Sequence, residues 1–408
     1  MMKHEQLAEY VYWIGKIDDR EVPFHRLVLT KGTTYNAYLL KTDKPTLIDT
    51  VDFQFAKEFV NHLSQLIDPK EIQYIVVNHT EPDHSGGIAA LAHRAPDATF
   101  VCTEMAVDEL KEMYRLQNRQ FLVVEDGDTL DIGGKTLKFK ETPYLHTEET
   151  MITYSIEDKI LFPCDIFSTH IAIEELYNDE VDMTDDFLGY YQAIIHPHRR
   201  YVKTLMEAME ELDVQLIAPS HGYLIRKDVE KFVNLYAEMS ADSDCNKKVT
   251  IIYTTIRNNT RKIAHIMQEK LEEYNIEVAV FNADRADHDE ILDCVAEADA
   301  VFIGSSTKYA DLIGGLEDVL KKLKEINLEG KIAAAFGSYG WSGEAIEVIQ
   351  DYLKETNMNV QTTAQIIKTT GMTDVEFPIR IRFSPNDNQV KKIEDSASYV
   401  ADLLRSTI

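Results

Sequence analysis

The run His79-Thr80-Glu81-Pro82-Asp83-His84 decides the fold of the first half of this chain. It places four potential metal ligands in six positions, an arrangement that a solvated acidic loop would produce only by rare accident. Further ligands follow at longer range. His146 stands in Tyr144-Leu145-His146-Thr147 after a proline, Asp165 closes Leu161-Phe162-Pro163-Cys164-Asp165, and His221 lies in Ala218-Pro219-Ser220-His221-Gly222. Each of these comes just past an apolar stretch. Imidazole and carboxylate suit non-haem iron, manganese or zinc, and none of the seven is a thiolate. Four histidines and three carboxylates are more than one tetrahedral zinc needs. With Asp165 bridging, they suit two metals side by side, either a two-electron redox centre or a two-metal hydrolase.

Around this cluster the pattern is that of strands. Short apolar runs at 11–14, 27–29, 35–40 and 46–49 are broken by Gly, Pro and Asp, as in an antiparallel sheet. Residues 55–66 carry the spacing of an amphipathic helix. A buried strand over 72–77 delivers His79 at its end, where a rigid element can hold a ligand and the loop can converge its neighbours. Further strands are expected at 99–102, 121–124, 137–139, 151–154 and 160–162, giving a sandwich of sheets flanked by helices.

The rhythm changes at the polar stretch Ser240-Ala241-Asp242-Ser243-Asp244-Cys245-Asn246-Lys247-Lys248, which reads as a linker. Beyond it, strands at 249–253, 276–281, 300–304, 332–336 and 360–366 alternate with helices at 260–274, 287–297, 312–324 and 344–355. That alternation predicts a doubly wound parallel sheet with its ligand at the carboxyl ends of the strands. Residues 378–386 carry no assignment, and a helix over 389–404 closes the chain. The expected domains are 1–246 and 247–408.

Three loops at those strand ends have the chemistry of a phosphate and flavin site. The first is Thr254-Thr255-Ile256-Arg257-Asn258-Asn259-Thr260, whose hydroxyls and helix-start N–H groups can cradle a dianionic phosphate. Asn258 tolerates a positive φ, so the turn survives without glycine there. Arg257 adds a charge that can reach the phosphate. The second loop holds Ser305, Ser306, Thr307 and Tyr309. The third, Gly337-Ser338-Tyr339-Gly340-Trp341-Ser342-Gly343-Glu344, offers small residues for close approach of a ring and aromatic faces for stacking. No G-x-G-x-x-G or Walker loop follows a strand, so neither a nicotinamide nor a nucleoside-triphosphate site is supported.

The pattern H-x-E-x-D-H with His146, Asp165 and His221 resembles the metallo-β-lactamase fold, and the glutamate at position 81 resembles the flavodiiron proteins (A-type flavoproteins). Gly32-Thr33-Thr34-Tyr35-Asn36-Ala37-Tyr38 and the third flavin loop match that family as well. The resemblance spans nearly the whole chain. It implies an N-terminal αββα sandwich and a C-terminal flavodoxin-like domain carrying FMN. It also implies one iron on His79, Glu81, His146 and Asp165, and a second on Asp83, His84, Asp165 and His221. His25 and Tyr190 or Tyr191 resemble residues that line the family's substrate pocket, and Asp49 matches a supporting position of the wider fold. The implied activity is reduction of dioxygen to water, of nitric oxide to nitrous oxide, or both. Electrons would come from a donor such as rubredoxin or a reduced deazaflavin. A head-to-tail homodimer, or a dimer of such dimers, would bring one copy's FMN to the other's irons. No paired C-x-x-C or flavin reductase module follows, which matches the short two-domain form.

Composition agrees. Lys and Arg number 42 against 70 Asp and Glu, a formal charge of −28, which argues against nucleic acid or an anionic membrane as partner. Four scattered cysteines and no signal-like N-terminus point to the cytoplasm. Two other readings compete: a dinuclear zinc hydrolase with an attached flavodoxin domain, and a pure electron carrier. Glu81 counts against the first, and the complete set of seven ligands against the second.

Overall fold

The computed structural model describes residues 2–24, 27–243 and 246–406. Contacts divide the chain into two units, Met1–Ser240 and Ala241–Ile408. The start of the linker goes with the second unit because Asp242 pairs with Arg405 and the Ser243 N–H donates to the Arg405 carbonyl.

The first unit is two sheets face to face. The larger runs in the order Met2–Ala8, Val11–Asp18, Thr33–Leu40, Thr46–Ile48, Tyr74–Val76, Thr99–Cys102, Phe121–Val123. Its early strands pair antiparallel and the last four parallel. The smaller sheet runs Thr129–Asp131, Thr136–Glu141, Met151–Ser155, Ile160–Phe162, Leu216–Ile217. Strand Thr33–Leu40 is buried along its whole length. Successive side chains point to opposite faces. Accordingly Tyr38 and Leu40 enter the core between the sheets, while Tyr35, Ala37 and Leu39 enter the core under the outer helices. This two-sided burial removes the usual alternation of inward and outward residues, and the polar Asn36 is satisfied inside by Trp13 Nε1 and the Pro219 carbonyl.

Helix Ala56–Leu66 closes the outer face of the larger sheet with Phe59, Val60 and Leu63. Helix Arg199–Glu210 does the same for the smaller sheet with Val202, Leu205 and Met209. The unit is therefore the expected αββα sandwich. The strand predicted over 72–77 is shorter, Tyr74–Val76, and its end delivers Asn78 and His79 toward the rim of the sandwich.

The second unit is a parallel sheet in the order Glu277–Asn282, Lys248–Tyr253, Ala300–Ser306, Ile332–Tyr339. Its outer edge corrects the sequence reading. Of the strand expected at 360–366 only Val360 is in one, the short Asn359–Val360, and Thr363–Thr370 is a helix. The Thr362 side chain caps that helix by accepting from the Gln365 N–H. The long strand Ile332–Tyr339 takes a second partner instead, Ile379–Arg382, in the stretch left unassigned. Asn359–Val360 covers its first half and Ile379–Arg382 its second. Two short pairings replace one long strand, so no single periodic run marked this edge. Helices Asn259–Glu273 and Glu344–Lys354 begin at the same end of the sheet, directly after the loops at 254–258 and 340–343.

Candidate metal centre and flavin loops

The seven predicted ligands of the first unit converge. His79, Glu81, His146 and Asp165 bring one donor atom each within 4.8 Å of one another, and Asp83, His84 and His221 form a second such group. Asp165 lies between them. Its Oδ2 is 3.3 Å from His84 Nε2, 3.3 Å from His146 Nε2 and 3.7 Å from His79 Nε2, and its Oδ1 is 3.5 Å from His221 Nε2. Glu81 Oε2 sits 3.2 Å from His79 Nε2 and 3.3 Å from His146 Nε2. Asp83 completes the other side, 3.4 Å from His84 Nε2 and 3.2 Å from His221 Nε2. Two donors bonded at about 2.1 Å to one ion, roughly 100° apart, stand about 3.2 Å from each other. The spacings are therefore those of two coordination shells sharing one carboxylate.

Each ligand comes from a strand end or the turn after it. Pro82 opens the short helix Pro82–Ser85, which turns Asp83 and His84 back toward Glu81. The imidazoles are aimed by their other nitrogens. His79 Nδ1 is 2.6 Å from Glu149 Oε1, and His221 Nδ1 donates to the Thr34 carbonyl at 2.5 Å. Either bond leaves Nε2 for the metal. Glu149 is buried and also accepts from the Thr80 N–H and hydroxyl. Asp49 accepts from Asn78 N–H and Nδ2 at 2.8 and 3.0 Å, fixing the backbone that carries His79.

The pocket's own charges call for a cation. Burial raises the Asp49 carboxyl to about 6. Burial works the same way on Asp165 and Glu81, but the imidazoles around them outweigh it and hold both below the ordinary carboxylate range. Conversely, burial alone would strip protons from the imidazoles. The facing carboxylates reverse that and raise His146 to about 9 and His221 to about 10. Both Asp83 oxygens and His84 Nε2 are buried without a hydrogen-bond partner. Such orphaned atoms are costly unless something binds them. Hard oxygen and borderline nitrogen donors at these spacings fit two divalent iron ions. Cys164 also lies within reach of His84 and Asp165. Burial pushes its thiol up, and the Ser220 hydroxyl points to its sulfur, so it stays a neutral neighbour.

The two tyrosines separate. Tyr190 donates its hydroxyl to Asp165 Oδ1 at 2.7 Å. Tyr191 turns into the core against Tyr236, with ring centroids 4.8 Å apart, and near His196. His25 falls outside the described residues. Two participants had no assigned role in the sequence reading. Glu149 is one of two adjacent glutamates three residues past His146, and nothing local distinguishes it from Glu148. His170 is the other. Its ring packs 4.9 Å from His221 and 4.8 Å from Tyr190, and its Nδ1 is 3.1 Å from the Thr33 hydroxyl.

In the second unit the three loops interlock through hydroxyls. Thr260 Oγ1 lies 2.9 Å from Ser306 Oγ and 2.8 Å from Ser338 Oγ, joining all three. Thr254 Oγ1 lies 3.0 Å from Ser305 Oγ. Asn258 takes φ 62° and caps helix Asn259–Glu273 without a side-chain bond, so the first N–H groups of the helix, beginning at Asn259, remain for a ligand. Thr255 Oγ1 and Thr307 Oγ1 are buried and unpartnered. Gly343 at φ 81° opens the next helix, where a β-carbon would press on Tyr339. Gly340 faces the Phe383 ring. Tyr309 and Trp341 are almost wholly exposed, 90% and 93%. A hydroxyl-lined helix start beside exposed aromatic rings fits a flavin phosphate and its isoalloxazine.

A family model of the ODP family beta lactamases matches residues 33–222, and one of flavodoxin matches residues 251–392. The anaerobic nitric oxide reductase flavorubredoxin of Salmonella arizonae is 37% identical over 360 residues, covering 86% of this chain and 75% of that protein. The corresponding protein of Citrobacter koseri is also 37% identical, covering 86% and 74%. Among solved structures, rubredoxin oxygen:oxidoreductase from the anaerobe Desulfovibrio gigas is 26% identical at a TM-score of 0.58, covering 98% of both chains. The flavodiiron protein of Giardia intestinalis is 26% identical at 0.58, covering 98% of this chain and 97% of that one. The chain belongs to the flavodiiron proteins, oxidoreductases that pair FMN in a flavodoxin domain with a non-haem diiron centre in a β-lactamase-like domain.

Proposed function

We propose that this enzyme reduces dioxygen to water, nitric oxide to nitrous oxide, or both, with His79, Glu81, His146 and Asp165 on one iron and Asp83, His84, Asp165 and His221 on the other. The observation that carries this reading is the position of Asp165, whose two oxygens face imidazoles of both groups. When bound, the irons supply adjacent redox centres that share the electrons a diatomic needs, and FMN supplies those electrons from a donor.

The chain's own part is positional. Glu149 and the Thr34 carbonyl fix the ring orientations of His79 and His221. Tyr190 holds Asp165 through one oxygen, and its hydroxyl is the proton donor nearest that carboxylate in the described contacts. His170 backs both His221 and Tyr190 and restricts their motion. Tyr191, and His25 outside the described residues, remain candidates for the pocket wall. In the flavin domain, Thr254, Thr255, Asn258, Asn259 and Thr260 would take the phosphate with help from Arg257. Ser305, Ser306, Thr307, Tyr309, Ser338, Tyr339, Gly340, Trp341 and Gly343 would bound the ring. The names of the relatives support both substrates: one is a nitric oxide reductase, another an oxygen:oxidoreductase. A zinc hydrolase has no use for a flavin cradle, so that alternative is set aside.

Two copies associating head to tail would bring one copy's FMN to the other's irons. The electron donor is rubredoxin or a reduced deazaflavin. No helix among the described residues is long and apolar enough to cross a membrane. The free thiols Cys102, Cys164 and Cys294 support a reducing cytoplasm. The test is anaerobic consumption of dioxygen and of nitric oxide by iron- and FMN-loaded protein with chemically reduced rubredoxin. Consumption of either gas supports the reading. Zinc in the purified protein, with ester or thioester hydrolysis, refutes it.

A further inference from the structure

Outside the diiron centre, a second pair of imidazoles in the first unit meets nitrogen to nitrogen. His4 lies in the edge strand Met2–Ala8, opposite Ile14 of the neighbouring strand Val11–Asp18. His62 lies in helix Ala56–Leu66. The two side chains meet between strand and helix, with His4 Nδ1 3.4 Å from His62 Nε2 and ring centroids 5.2 Å apart. His4 is exposed and His62 half-buried, so a dissolved ion can reach them. Both elements are anchored. Phe59, Val60 and Leu63 seat the helix on the core. Glu58, one turn before His62, accepts from the Met2 N–H at 3.3 Å and pairs with Lys16 at 2.8 Å.

A hydrogen bond accounts poorly for this contact, because an N–H donor usually closes to about 2.9 to 3.0 Å on its acceptor. Two nitrogens bonded at about 2.05 Å to one ion stand about 3.3 Å apart at the tetrahedral angle and about 2.9 Å apart at a right angle. The observed 3.4 Å agrees with the tetrahedral value. The ring spacing also matches that of the imidazoles that converge on one metal shell: His79 and His146 are 5.2 Å apart, and His84 and His221 5.0 Å. Spacing alone does not make a site. His170 stands 4.9 Å from His221, yet its Nδ1 turns to the Thr33 hydroxyl. His4 and His62 turn their nitrogens on each other. Burial holds the His62 imidazole below its ordinary range, and His4 beside it adds to the effect, while the Glu58 carboxylate works against it. Neutral imidazole is the form that binds a metal. One divalent ion between the rings would use both lone pairs, where two protons would repel.

We infer that His4 and His62 form a surface zinc site that clamps the edge strand Met2–Ala8 to helix Ala56–Leu66, with water in the remaining positions. Zinc takes imidazole nitrogen in a tetrahedral shell. Copper(II) binds such nitrogen more tightly but prefers right-angled ligands, and these rings would have to close up to supply them. Two protein ligands leave the ion exchangeable, unlike the closed four-ligand shell of a structural zinc. The strand it holds has a neighbour on one side only, so the clamp acts where the sheet opens most readily. The site shares no residue with the diiron centre or the flavin loops and stands apart from the reading of either.

The test is equilibrium dialysis of the iron- and FMN-loaded protein against zinc(II), with zinc and iron counted per chain. The parent should take up one zinc while its iron content stays constant. His4→Gln and His62→Gln, each removing one ligand, should weaken zinc binding at least about tenfold. His93→Gln, an exposed histidine on another element, should bind as the parent does. X-ray absorption at the zinc edge should show two imidazoles in a four-coordinate shell, and zinc should slow amide hydrogen exchange in strand Met2–Ala8 of the parent but not of His62→Gln. A parent that takes up no zinc overturns the proposal. Zinc gained only as iron is lost also overturns it, since the ion would then sit in the diiron centre. So does an affinity unmoved in both His4→Gln and His62→Gln, or lowered as much in His93→Gln.

Discussion

Replacing Glu149 with glutamine should weaken metal binding without unfolding the first domain. Glu149 is 4% exposed and touches no metal position itself. Its Oε1 takes three donors: the Thr80 N–H at 3.1 Å, the Thr80 hydroxyl at 2.9 Å and His79 Nδ1 at 2.6 Å. Glutamine keeps the shape and an acceptor for the Thr80 N–H, so the backbone stays in place. It removes the negative charge that orients His79 and makes its Nε2 a better donor. Loss of such a supporting carboxylate costs roughly 10- to 100-fold in metal affinity, or about 1.4 to 2.7 kcal/mol. Glu109 is the control. It accepts from the same Thr80 hydroxyl at 2.6 Å but has no hydrogen bond to His79 among the described residues, so Glu109→Gln should change affinity by less than about threefold, the span of one surface interaction. The assay is competition with a chromophoric chelator for iron(II) and zinc(II), alongside thermal melting of the metal-free proteins. Parent-like affinity in Glu149→Gln, or an equal loss in Glu109→Gln, would refute the reasoning that His79 is set by its second nitrogen.

Other outcomes follow from the same geometry. Tyr190→Phe deletes one hydrogen bond to a carboxylate, about 1.5 to 3 kcal/mol, and should slow turnover roughly 10- to 100-fold at unchanged iron content, as read by gas consumption against metal analysis. In the metal-free protein His146 and His221 titrate near 9 and 10, above their unfolded value. Their contribution to stability is therefore full below about pH 6.5 and lost as pH rises through 9 to 10. Melting temperature of the chelated protein should drop over that window, and loading with metal, which replaces the protons, should abolish the drop. Thr260→Val breaks the hydroxyl junction of the three loops and should weaken FMN by about tenfold, measured by quenching of flavin fluorescence. Asn258→Gly should keep FMN because glycine accepts φ 62°, whereas Asn258→Val should cost about 1 to 2 kcal/mol in the melt of the second domain.

The candidate metal ligands were legible in the sequence because they are crowded. Four of them share one turn after a strand, and the others each follow an apolar run that ends in a ligand. The sandwich was legible because short strands such as Met151–Ser155 and Ile160–Phe162 are wholly buried and broken by turn residues. Helices Thr184–Tyr190, Arg199–Glu210 and Val229–Ser240 were not read. In the last two the helical spacing is present, Val202, Leu205, Met206 and Met209 in one and Val229, Phe232, Val233 and Tyr236 in the other, so they were open to the sequence reading; only the first is too short to carry a periodic signal. The edge of the second sheet was misread for want of any local signal that two short strands would share Ile332–Tyr339. Glu149 was missed because supporting carboxylates have no fixed spacing from the residues they orient. Tyr190 and Tyr191 could not be told apart by sequence, since adjacent helical residues point about 100° apart and only packing decides which one faces Asp165.

The central claim is that Asp165 joins two metal shells in one domain. Metal counting tests it most directly: anaerobic reconstitution with iron(II), removal of loose metal, and iron determined per chain for the parent and for Asp165→Ala. The account predicts about two irons per parent chain, as a side-by-side pair requires, and loss of both in the variant because each shell loses a donor and the link between them. A parent that holds a single iron, or an Asp165→Ala protein that keeps two, would contradict it.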